Sequence, residues 1–131
     1  MVDDEKQIFQ GKIVITSLDE VFRSNLYIKN QNELNIIQLY KPIIGVIIEF
    51  SVDGNNSIKI LRSNDAYLDN QALINSSLND EMIRFISLLK ACVLQKKVIK
   101  EHGFTCNLNK EVNELVYIKD NHEFKVTLKR I

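Results

Sequence analysis

A chain of 131 residues, 45% of them hydrophobic, has material for one core and little room for a second. Seventeen basic and seventeen acidic side chains cancel, so no net field draws in a nucleic-acid backbone or an anionic membrane surface. The apolar run Ile43 to Phe50 is broken by Gly45 and Glu49 and is far too short to cross a bilayer.

The opening Met1-Val2-Asp3-Asp4-Glu5 is acidic and lacks the basic start and apolar stretch of a secretory signal. The expectation is a cytoplasmic protein with no membrane insertion and no nucleic-acid partner. Cys92 and Cys106 are too few and too distant in sequence for a disulfide framework or a zinc site, and read as two reduced core thiols.

In chain order, Lys12 to Thr16 is a short β-branched strand, and Ser17-Leu18-Asp19-Glu20 fits a capping box that opens a helical turn. Arg23 to Asn32 is polar and asparagine-rich, which predicts a loop. Asn32 then caps a short helix carrying Leu34, Ile37 and Tyr40, ended by Pro42. Ile43 to Val52 and Ser57 to Arg62 read as two strands joined by the turn Asp53-Gly54-Asn55-Asn56. Asn64 or Asp65 caps a following short helix, and a second short helical stretch runs from Gln71 to Ile74.

From Asp80, the spacing of Met82, Phe85, Ile86, Leu89, Cys92 and Val93 gives one apolar stripe and predicts the longest helix, with Lys96 and Lys97 at its C-terminal end. Three strands complete the chain: Val98 to Leu108, Glu111 to Lys119, and His122 to Ile131, with Asp120-Asn121 as a hairpin turn. In the last of these, Phe124, Val126 and Leu128 alternate with Lys125, Thr127 and Lys129, one face buried and one wet.

The segment Ile58-Lys59-Ile60-Leu61-Arg62-Ser63-Asn64-Asp65-Ala66-Tyr67-Leu68 resembles the PAS family, in which a second strand runs into an asparagine and a small helix in a pattern like V-N-x-A-[FY]. Ile47 to Gly54 resembles that family's first strand and turn. The wording around Leu61 to Leu68 is most similar to PAS domains attached to bacterial cyclic-di-GMP synthases and phosphodiesterases. Upstream, Phe9 to Phe22 has a fainter likeness to the terminal segment of cyclic-di-GMP phosphodiesterase domains, but the usual Ser-Lys-Pro is absent.

The resemblance implies an α+β fold: a PAS-like five-stranded antiparallel sheet flanked by short helices and one long helix, over residues 41–131. Residues 1–40 then form an N-terminal strand and helix extension. It also implies a cavity between the sheet and the short helices, with Ile48, Phe50, Ile60, Tyr67, Leu73, Phe85, Cys106, Tyr117 and Phe124 as wall candidates and Arg62, Tyr67 and His102 as polar contacts. A closed core without ligand explains the same apolar residues. Asn64 and Asp65 carry the structural motif.

Catalytic chemistry is sought without success. The four glycines, Gly11, Gly45, Gly54 and Gly103, are isolated, so no phosphate loop forms. His102 and His122 have no readable acid or nucleophile beside them, and no metal set is proposed. The cyclase and phosphodiesterase signatures G-G-D-E-F and E-A-L do not occur, no flavin-adduct motif surrounds either cysteine, and haem is unsupported. The cofactor is therefore unknown.

The leading expectation is a non-catalytic sensory or regulatory module that binds a small ligand or partner and controls an attached or interacting signalling domain. A second is a structural homodimer that aligns attached domains, joined through the exposed sheet face and the segment Leu34 to Tyr40, where Leu34, Ile36, Ile37, Leu39 and Tyr40 crowd more than one helical face. A third, an enzyme on a small cone-like scaffold, lacks paired acid and histidine residues.

Overall fold

The computed structural model describes residues 7–17, 20–31, 34–55, 57–68, 80–94, 101–108, 112–119 and 121–130. Eight strands form one antiparallel sheet: β1 (Gln7–Ser17), β2 (Glu20–Gln31), β3 (Leu34–Lys41), β4 (Gly45–Val52), β5 (Ile58–Ser63), β6 (Phe104–Leu108), β7 (Asn113–Lys119) and β8 (His122–Arg130). Their spatial order is β5-β4-β3-β2-β1-β8-β7-β6. Every neighbour is consecutive in the chain except one pair: β1 meets β8, so the two ends of the chain build the middle of the sheet.

Among the described residues, two helices lie between β5 and β6: α1 (Asp65–Leu68) and α2 (Asp80–Leu89), the latter continuing into a π-helical turn at Lys90–Leu94. The helical segment packs on one face of the sheet, which becomes the inner face. Phe85 stacks on Phe124 of β8 at 5.0 Å between ring centres. Lys90, although buried, donates from Nζ to the Asp53 carbonyl at 2.6 Å, beyond the end of β4. The helix thus reaches from one side of the sheet towards the other.

Strict alternation sets that face. In β2, Phe22, Ser24, Leu26 and Ile28 are buried while Arg23, Asn25, Tyr27 and Lys29 face away. Register aligns the inward residues into rows across the strands: Phe22, Ile15, Phe124, Tyr117 and Phe104 form one, and Phe50, Ile37, Ile28 and Phe9 another. Rows of large apolar side chains on a pleated surface give the sheet its core side.

Gly11 sits between Leu26 and Leu128 in register. A Cβ there would run into the Thr127 carbonyl, so only glycine lets β8 approach β1 this closely.

The fold corrects the expected PAS-like α+β architecture. The sheet has eight strands rather than five, and the described part of the long helix is ten residues before the π turn. The difference lies upstream. Instead of a helical extension, the residues before Pro42 supply β1, β2 and β3. Ser17 pairs with Glu20, so the apparent capping box is the reversal between two strands.

The polar stretch from Arg23 is the middle of β2, disguised by an inward serine, an outward Asn25 and, near the strand end, Asn30 on the inward register opposite Asn35. Leu34 to Tyr40 is a strand with Ile37 and Leu39 inward and Leu34, Ile36 and Tyr40 outward, which explains apolar residues on two faces without a dimer. Register over these strands overrides the local helical signals.

The hairpin of β4 and β5, the helix capped by Asn64, and the last two strands stand as expected. The stretch Gln71 to Ile74 and the lysines Lys96 and Lys97 lie outside the described residues.

Candidate functional site

The expected cavity residues separate into three groups. Ile48, Phe50, Tyr117 and Phe124 project from the sheet into the core, where Phe85 meets them from α2, and Tyr67 and Cys106 pack against the same cluster. The rings of Phe85, Tyr117, Phe124 and Phe104 lie 5.0 to 6.3 Å from one another in sequence of contact. This is close-packed aromatic contact.

Ile60 and Arg62 stand instead on the exposed edge strand β5. Ile60 is 55% exposed, and Arg62 forms an ion pair with Glu49 at 3.0 Å. Leu73 lies outside the described residues. Asn64 accepts a hydrogen bond at Oδ1 from the Tyr67 amide at 3.1 Å and so caps α1, while Asp65 accepts one from the Ser63 hydroxyl. His102 is exposed, and His122 opens β8. Among the described residues, no group of three or more His, Cys, Asp or Glu side chains is placed to hold a metal ion.

The cysteines correct the reading as reduced thiols. Cys92 of the π turn and Cys106 of β6 form a disulfide, with Cα atoms 6.5 Å apart. Sequence separation concealed the pair because the fold returns β6 beneath the helix. Beside it, Arg84 of α2 pairs with Glu101, whose hydrogen bond holds the guanidinium above its usual pKa. The helix is thereby tied to the start of β6 by a covalent bond and an ion pair.

A second constellation, invisible in sequence, forms where β3 ends. Pairing of β2 with β3 stops at Asn25 and Tyr40, and β2 continues past it to Glu20. The chain turns through Pro42, Ile43 and Ile44 to Gly45, whose φ of +90° suits the left-handed residue of a short hairpin loop. Two grooves flank this corner and share Lys41 and Pro42.

The first groove, of about 430 Å³, is lined by Lys12, Arg23 and Lys41 with Ile13, Val14, Ser24, Asn25 and Pro42, and has no acid among its described lining residues. The second, of about 540 Å³, lies on the outer face among Gln10, Tyr27, Gln38 and Tyr40, with Gly45 and Val46. Neither Lys12, Arg23 nor Lys41 makes an ion pair with a described residue, in contrast with Arg62 and Arg84. At the tip, Ile43 is 99% exposed and Ile44 41%.

Lys12 and Arg23 from the outer face and Lys41, turned toward the Phe22 ring, thus line one groove next to the exposed hairpin tip, with no ion-pair partner among the described residues. A carboxylate, sulfate or phosphate would be drawn to the groove, and an attached hydrocarbon would find isoleucine, proline and tyrosine surfaces next to it. No family model and no curated protein matches this chain.

Proposed function

We propose that the chain is a non-catalytic binding module whose ligand is an anionic amphiphile held at the Lys41–Pro42 corner. One observation carries the reading: the fully exposed Ile43 follows Pro42 in the wall of a groove whose described lining includes Lys12, Arg23 and Lys41 and no acid. A solvent-facing isoleucine gains nothing for the monomer fold, and its placement beside unneutralised cations matches a ligand with a charged head and an apolar body.

The binding role expected from sequence is kept, but its site moves from the aromatic interior to this corner. Regulation of a neighbouring domain would then start at Lys41, which reaches from the groove to the Tyr67 ring of α1. No helix of the described residues is long and apolar enough to cross a membrane. The Cys92–Cys106 disulfide supports residence in an oxidising compartment rather than the cytoplasm, because such bonds persist where thiols are not kept reduced.

The test is titration with laurate, followed through backbone amide shifts. The expected result is saturable movement at Lys12, Arg23, Lys41 and Gly45, abolished in Lys12→Glu/Arg23→Glu. Equal binding of dodecyltrimethylammonium, a cation with the same tail, would remove the charge argument and with it the proposal.

A further inference from the structure

Resting on the corner reading, we infer that the outer face of β2, β1 and β8 is a docking surface for an anionic lipid membrane. Register gathers there cations that are distant in sequence. Arg23 pairs across to Val14 and Val14 to Lys125; the next row is Asn25, Lys12 and Thr127; the next is Tyr27, Gln10 and Lys129. Lys12 therefore has Arg23, Lys125 and Lys129 as diagonal neighbours, roughly 7–8 Å away in an antiparallel sheet.

All four of these side chains are exposed, and none makes an ion pair with a described residue. Two acids share this face: Glu123 lies two residues before Lys125 on β8, and Glu114 of β7, opposite Thr127, is diagonal to Lys125 and Lys129, so the cationic excess lies towards β1 and β2. The chain carries no net charge, so this is segregation by the fold rather than a basic composition.

Lysines on sheets commonly guard edge strands against pairing with other chains. That account reaches Arg23 and Lys129, which lie past the ends of the β3 and β7 ladders, but not Lys12 and Lys125, whose strands are paired on both sides. Like charges on adjacent central strands repel each other, and a plane of negative headgroups relieves the repulsion. Lys12 and Arg23 belong both to this face and to the groove, so the patch and the apolar tip at Ile43 meet one surface together. Basic residues flanking an apolar projection fit an anionic interface.

The test is flotation with phosphatidylcholine vesicles, with and without phosphatidylglycerol, using the full chain. Wild type is expected to float with the phosphatidylglycerol vesicles alone and to be released as salt rises. Lys125→Glu/Lys129→Glu, outside the groove, should lower the vesicle partition by a factor on the order of several hundred. The milder Lys125→Gln/Lys129→Gln should lower it by about thirtyfold, both variants keeping wild-type laurate binding.

Unchanged partition in both variants, equal flotation on pure phosphatidylcholine, or displacement from vesicles by an oligothymidylate at lower charge concentration than the lipid would each overturn the inference. Laurate binding without vesicle binding would overturn it while leaving the corner reading intact. Loss of laurate binding in wild type would instead strike the corner reading itself.

Discussion

The ammonium of Lys41 lies 5.5 Å from the centre of the Phe22 ring and 5.7 Å from that of Tyr67, so one cation bridges the sheet and α1. Lys41 is also a wall of both grooves. A group drawn to an anion at the groove is therefore the same group that holds the first helix against β2.

That bridge is measurable. Lys41→Met, Tyr67→Leu and the double substitution form a cycle in which the coupling should be about 1 kcal/mol, the scale of a partly desolvated cation over an aromatic face. Urea unfolding of the four proteins reads it. Additive losses would mean that the two rings merely neighbour the ammonium, and the link from groove to helix would be lost.

How far the sequence foretold this architecture depends on the strand. In β8, Phe124, Val126 and Leu128 alternate cleanly with Lys125, Thr127 and Lys129, and both strand and buried face follow from inspection. In β2 the same period is hidden, because Ser24 points inward with the Asn25 and Tyr40 carbonyls as alternative acceptors for its single hydroxyl proton, while Asn25 and Asn30 suggest a loop. In β3, Leu34, Ile37 and Tyr40 imitate a helical stripe by their three-residue spacing, although Ile37 faces the core and Leu34 and Tyr40 the opposite side of the sheet.

The run compared with PAS sequences is a hairpin followed by an asparagine-capped helix, a local combination that does not specify the fold around it. It carried no information about three further strands in front. The cationic face was illegible for a different reason: Lys12, Arg23 and Lys125 become neighbours only through the register of β2, β1 and β8.

Gly11 and Gly45 test two separate uses of glycine. At Gly11 an added Cβ meets the Thr127 backbone, so Gly11→Ala must push β1 and β8 apart and should cost roughly 1–3 kcal/mol, with faster amide exchange in both strands. At Gly45 a Cβ meets nothing within 4 Å, and the cost of alanine is conformational alone, about 1 kcal/mol, from its φ of +90°. Hydrogen exchange distinguishes them, since Gly45→Ala should leave the β1–β8 ladder protected. Equal effects on that ladder would refute the close-approach account of Gly11.

The disulfide closes a loop with a sequence separation of 14 between Cys92 and Cys106. Cys92→Ser/Cys106→Ser should lose roughly 3 kcal/mol, chiefly because the unfolded chain regains freedom. Protein exported to an oxidising compartment should show no thiol to iodoacetamide under denaturing, non-reducing conditions, and two after reduction. Two reactive thiols before reduction would contradict both the staple and the compartment argued from it.

Ile43 supplies the sharpest separation of stability from binding. Because its side chain is 99% exposed, Ile43→Ser should change unfolding free energy by no more than about 0.5 kcal/mol. Laurate affinity, by contrast, should fall about tenfold, the ~1.4 kcal/mol expected when an isoleucine that becomes partly buried is removed. Ile43→Leu keeps the apolar area and should retain binding, while Ile43→Asp adds repulsion to the loss and should bind more weakly than serine. Calorimetric titration of these three variants orders them directly. Binding that is indifferent to the residue at 43 would detach the hairpin tip from the ligand and confine the site to Lys12, Arg23 and Lys41.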